Sequence, residues 1–122
     1  MKKSASNRWI YEYFEAADSL DLERLLAQHT DDVLLTFANY PTVAGREKFS
    51  EAIGGLWSRL KGMSHSLTGA WSLDRGEVGI AESVVTYTRK DGSLFTANAC
   101  SVLRRRDGKV ADLRIHADLN GL

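Results

Sequence analysis

The chain is poor in the residues that staple, punctuate or span. Its 122 residues include one cysteine, Cys100, and one proline, Pro41. A single thiol closes no internal disulfide and builds no cysteine-rich zinc site. That usage suits a reducing compartment and predicts a cytoplasmic protein. Charge of one sign is missing too, because sixteen Lys and Arg offset sixteen Asp and Glu. A balanced surface has no long-range field to collect nucleic acid or an anionic membrane. Arg104-Arg105-Arg106, beside Asp107, reads as the solvated end of a strand. No apolar run nears the roughly 18 residues of a membrane span. The basic start Met1-Lys2-Lys3 runs into Asn7, Arg8, Glu12 and Glu15, so no signal peptide is expected. The histidines at 29, 65 and 116 lie on separate elements, and Gly54-Gly55 falls inside a helical pattern rather than a phosphate loop. Neither a metal nor an organic cofactor is expected.

What is present is an ordinary core. Hydrophobic residues make up 43% and charged residues 26%, enough for one globular domain over residues 1–122. Helical spacing of Trp9, Tyr13, Ala16, Ala17 and Leu20 predicts a helix over 5–18, with Ser4 or Ser6 as its cap. A short helix follows over 21–28, then His29, where a cation would suit the helix dipole. Val33–Phe37 reads as a short buried strand and 38–44 as a loop. Gly45 opens a third helix over 46–60, carrying Phe49, Ile53, Trp57 and Leu60.

From Met63 the period changes to two. In 63–73, Met63, His65, Leu67, Gly69, Trp71 and Leu73 share one face, with Ser64, Ser66 and Thr68 on the other. Segments 77–89, 93–105 and 109–118 follow, joined by the hairpin signals Asp91-Gly92 and Asp107-Gly108. Helices first and strands later predict an α+β fold, with three helices packed on a curled antiparallel sheet.

The order of elements resembles the NTF2-like superfamily, and within it the SnoaL-like domains, over roughly residues 8–119. The residues that carry the likeness are Asp21-Leu22-Glu23-Arg24-Leu25-Leu26, Asp31-Asp32-Val33 and Ala44-Gly45-Arg46-Glu47. Val85 through Gly92, Arg106 through Val110 and Arg114 through Asp118 complete it. The resemblance implies a cone with a small-molecule pocket and a homodimer formed through the outer sheet face, with Ser64, Ser66, Thr68, Asp112, Arg114 and His116 on that face. It also implies where the chemistry of better-known members would fall. Ketosteroid isomerase works with an Asp base and an oxyanion hole of a Tyr and a protonated Asp. Tyr13 takes the position of that tyrosine. The base position is Phe37, and the second acid falls near Cys100 or Ser101, so that set is not retained. Limonene epoxide hydrolase chemistry keeps Asn39, with Tyr40 nearby. Its charged positions are Ser83, Val85 and Ile115, so that set is not retained either.

The expected ligand is therefore small and apolar. Trp9, Tyr13, Phe37, Trp57, Met63 and Trp71 are expected to line the cone, with Tyr13, Asn39 and His65 supplying polar contacts. Each polar residue has a plainer role open to it: Tyr13 as core, Asn39 as a turn residue, His65 as a buried neutral histidine. Tyr13 and His65 are the candidates for catalysis, since histidine is the ordinary side chain for moving a proton near neutrality. Three functions remain open: a binding domain, a proton-transfer enzyme acting on a carbonyl or polyketide-like substrate, and a pairing module.

Overall fold

The computed structural model describes residues 1–122. Helix α1 spans Arg8–Asp18 and α2 spans Leu22–Leu26. Strand β1 is His29–Phe37, β2 is Val43–Ala44, and α3 is Arg46–Trp57. Four long strands follow: β3 Leu60–Leu73, β4 Val78–Arg89, β5 Leu94–Arg106 and β6 Lys109–Ala117. They form one six-stranded sheet in the order β2-β1-β6-β5-β4-β3.

The expected antiparallel meander is β3 to β6. The Asp107-Gly108 turn has φ of 54° and 77°, the pair of positive values that a tight hairpin between twisted strands demands. The sheet as a whole is mixed, because β1 pairs parallel with β6, Leu35 opposite Leu113 and Phe37 opposite Ile115. Strand β1 also starts earlier than periodicity suggests, at His29 rather than Val33. The polar pair Asp31-Asp32 disguises it; both side chains are exposed there, at the irregular stretch between the two regions where β1 pairs with β6. Helix α3 stops at Trp57, and Leu60 already belongs to β3. The cap of α1 is Asn7 rather than a serine; its amide donates to the Ala70 carbonyl and ties the helix start to β3.

The core lies between the helices and the inner sheet face. Ile10, Phe49, Val33 and Leu103 are fully buried in it, each contributing about 2 kcal/mol of transfer free energy. Gly79 on β4 leaves the gap into which the Trp9 ring packs. Trp9 is thus a strut between α1 and the sheet. Its indole N–H donates to Ser72 Oγ at 2.9 Å and the Arg105 guanidinium stacks on its ring.

Period two describes β3 only as far as Leu67. Leu67 pairs with Ser83 but Gly69 pairs with Glu82, so β3 spends two residues where β4 spends one. This bulge reverses the faces. Beyond it, Ala70 and Ser72 point to the helices. Gly69, Trp71 and Leu73 point outward, with the Trp71 ring folded over Gly69.

Candidate functional site

Inside the cone is a cavity of about 820 Å³. Of its 30 lining residues, 23 are hydrophobic, so its occupant must be mainly apolar. The more exposed lining residues, among them Asn39, Tyr40, Arg59, Asp118 and Asn120, mark its mouth. Leu122 also lines it, and the Arg89 guanidinium holds the Gly121 and Leu122 carbonyls at 2.8 and 3.2 Å.

Six of the seven residues expected to contact a ligand line this cavity: Tyr13, Phe37, Asn39, Trp57, Met63 and His65. Trp71 does not. The bulge in β3 turns it to the outer face, where it is 38% exposed. Trp9, also expected at the wall, is the strut described above.

The polar groups sort themselves by hydrogen bonding. His29 is fully buried, not a cation at a helix end. Its Nδ1–H donates to the Leu25 carbonyl at 2.8 Å, so in the neutral ring Nε2 is bare and accepts from the Tyr13 hydroxyl at 2.7 Å. Burial brings His29 down to about 4, against the Leu25 carbonyl, which favours the cation, and with help from the Arg46 charge. Burial also pushes Tyr13 up. The one proton of the Tyr13 hydroxyl is thus committed to His29.

His65 is held differently. Its backbone N–H donates to Asp18 Oδ2 at 2.8 Å and its Nδ1–H to Asp18 Oδ1 at 2.6 Å. Asp18 ends α1, the end of the helix dipole where a negative charge is least welcome. Occupying both carboxylate oxygens fixes the imidazole ring, packed against Phe14 at 4.6 Å between centroids. The neutral tautomer so selected has a bare Nε2 on a residue that lines the cavity.

Family models match this chain as a SnoaL-like domain over residues 10–113. The chain belongs to the SnoaL-like family. Among solved structures, it is similar to a hypothetical protein with a ketosteroid isomerase-like fold from Catenulispora acidiphila, in complex with trimethylamine. That match has a TM-score of 0.80 and 17% identity, over 94% of this chain and 88% of the other. A candidate polyketide cyclase of Xanthomonas campestris pv. campestris matches with a TM-score of 0.79 and 19% identity, over 95% and 92%. An LEH-like epoxide hydrolase of M. tuberculosis matches with a TM-score of 0.77 and 16% identity, over 94% and 84%. No curated protein sequence matches the chain significantly.

Two residues escaped sequence reasoning: Asp18, which stands behind His65 and does not itself line the cavity, and Tyr87, which does. Asp18 follows Phe14 by one helical turn, so both fall on the face of α1 that meets β3; an acid at that helix end was the available signal. Tyr87 shares the inner face of β4 with Ala81, Ser83 and Val85 and is 4% exposed. Burial, then the Asp18 charge, pushes it up to about 12, so its hydroxyl is protonated at neutral pH. No three His, Cys, Asp or Glu side chains of the SnoaL-like domain converge as metal ligands would.

Proposed function

We propose that this SnoaL-like domain binds a small, mainly apolar molecule in the cone, contacted by Phe37, Trp57 and Met63 and oriented by His65 and Asn39. The observation that carries this is the cavity of about 820 Å³ with 23 hydrophobic lining residues of 30, within the roughly 300–1,000 Å³ range of small-molecule sites. The trimethylamine complex of the Catenulispora relative is in keeping with small-molecule binding on this fold. A reducing compartment such as the cytoplasm suits the free thiol of Cys100. The outer sheet face, where Trp71, Leu73 and Val84 are exposed, is the surface through which two copies would pair.

The test is a thermal-shift screen against apolar ketones, epoxides, steroids and aromatic polyketides. A ligand at 100 times its dissociation constant adds about 2.7 kcal/mol, a rise of a few degrees for this size. A flat screen with compounds soluble well above micromolar concentrations removes the binding reading.

The Asp18–His65 pair favours a second reading, an enzyme that moves a proton on the bound molecule. His65 Nε2 would take a proton from carbon next to a carbonyl, leaving an enolate and an imidazolium, and the imidazolium would return the proton to the substrate. Asp18 would hold the ring in place and stabilise its cation. Incubating a ketone hit in D₂O reads this step directly as deuterium gained at that carbon. Wild type should exchange at least about 100-fold faster than His65→Gln; equal rates end the enzymatic reading and leave binding untouched.

A further inference from the structure

Tyr13 and Tyr87 both line the cavity, and their hydroxyls differ in one respect. The Tyr13 hydroxyl is bonded to His29 Nε2 at 2.7 Å. Tyr87 is 4% exposed, and its hydroxyl, bonded to no protein group, is not among the sealed and unpaired polar atoms, which are Thr30 Oγ1 and Arg46 Nε; it opens on the cavity. A hydroxyl that opens on a cavity and has no acceptor on the protein bonds to water there, or to a ligand oxygen that takes the water's place. The one acidic group near it is Asp18, close enough to raise the Tyr87 pKa. Both Asp18 oxygens already accept from His65. The sheet places Tyr87 beside the imidazole: Met63 pairs with Tyr87 and His65 with Val85. His65 and Tyr87 are therefore diagonal neighbours on one inner face, roughly 7–8 Å apart at the backbone. A molecule of few atoms spans both.

We propose that Tyr87 is a hydrogen-bond donor to the ligand deep in the site, and that the ligand is an apolar molecule bearing a carbonyl or phenolic oxygen, held by the Tyr87 hydroxyl with its neighbouring carbon or hydroxyl group turned to His65 Nε2. This rests on the binding reading above and adds the chemical class of the ligand. Tyr87 is chosen over Tyr13 because its donor is free. It keeps its proton at neutral pH, as a donor to an uncharged oxygen must. A phenol bound there would accept from Tyr87 and donate to His65; a ketone would accept from Tyr87 and present its adjacent C–H.

The experiment uses the full chain with two probes of one shape, 2-acetylnaphthalene and 2-ethylnaphthalene, which differ in the carbonyl oxygen. Affinities are measured by fluorescence titration for wild type and Tyr87→Phe, and the carbonyl stretch of the bound ketone by infrared difference spectroscopy. Circular dichroism checks that the variant is folded. The expected result has two parts. Tyr87→Phe weakens the ketone roughly fivefold to tenfold and leaves the hydrocarbon unchanged. The bound carbonyl stretch, lowered by a hydrogen bond in wild type, rises in the variant. Equal ketone affinity and an unmoved stretch in the variant overturn the Tyr87 assignment while the cavity reading stands. Failure of both probes to bind wild type overturns the two together.

Discussion

At the scale of single residues, identical side chains differ by what they are bonded to. Of three histidines, His29 is sealed and neutral, His65 is aimed by a carboxylate, and His116 is exposed on the outer face. His29 makes stability depend on pH. Its ordinary value of 6.5 falls to about 4 in the fold, where burial, the Arg46 charge from α3 and the Tyr13 hydroxyl from α1 favour the neutral ring and outweigh the Leu25 carbonyl, which favours the cation. Between those values the unfolded chain binds the extra proton. The stabilisation is therefore complete above about pH 6.5 and is lost as pH falls toward 4. The interval corresponds to about 3 kcal/mol. Urea denaturation at pH 7 and at about pH 4.5 should show a drop of that order beyond the drop in His29→Gln. An identical pH slope in both proteins would mean that His29 is not the group responsible. Histidine at 29 was legible only as the residue after a short helix; its seal requires Phe49 of α3 against the ring and Tyr13 from sixteen residues away.

At the scale of elements, β4 and the bulge in β3 decide what Trp9 and Trp71 do. Trp9 rests on the missing side chain of Gly79; a Cβ there would lie 2.6 Å from the indole ring. Gly79→Ala should therefore cost about 1–3 kcal/mol through overpacking, seen as a lower urea midpoint with unchanged slope. A neutral substitution would mean that α1 shifts freely on the sheet. The hairpins were legible because Asp-Gly turns are written in two adjacent residues. The bulge was not, since nothing in Leu67-Thr68-Gly69 reveals that β4 advances one residue while β3 advances two. Alternation alone places Trp71 inside, and a single extra residue places it outside.

At the scale of the whole molecule, the two faces of the sheet differ in what they meet. The inner face closes on the cavity, and the outer face carries Trp71, Leu73 and Val84, 37–48% exposed. If pairing uses that outer face, Trp71→Glu should give a monomer by sedimentation at tens of micromolar, where wild type sediments as a dimer, and should keep its thermal shift with a cavity ligand. A wild-type monomer would remove pairing, and a dimeric variant would move the contact elsewhere.

Local signals were enough for three helices, four long strands, the Asp-Gly turns, and an inner wall of Phe37, Trp57 and Met63. Those follow from spacing within a dozen residues and from backbone angles that glycine and aspartate allow. The parallel pairing of β1 with β6, the reversal of β3 at its bulge, and the partners of each polar group came from the assembled fold alone. Asp18 meets His65 across 47 positions of chain. The Tyr13 hydroxyl donates its hydrogen bond to His29, while that of Tyr87 has no protein acceptor. Such choices depend on which groups packing brings within hydrogen-bond reach of each other, and no local pattern encodes that distance.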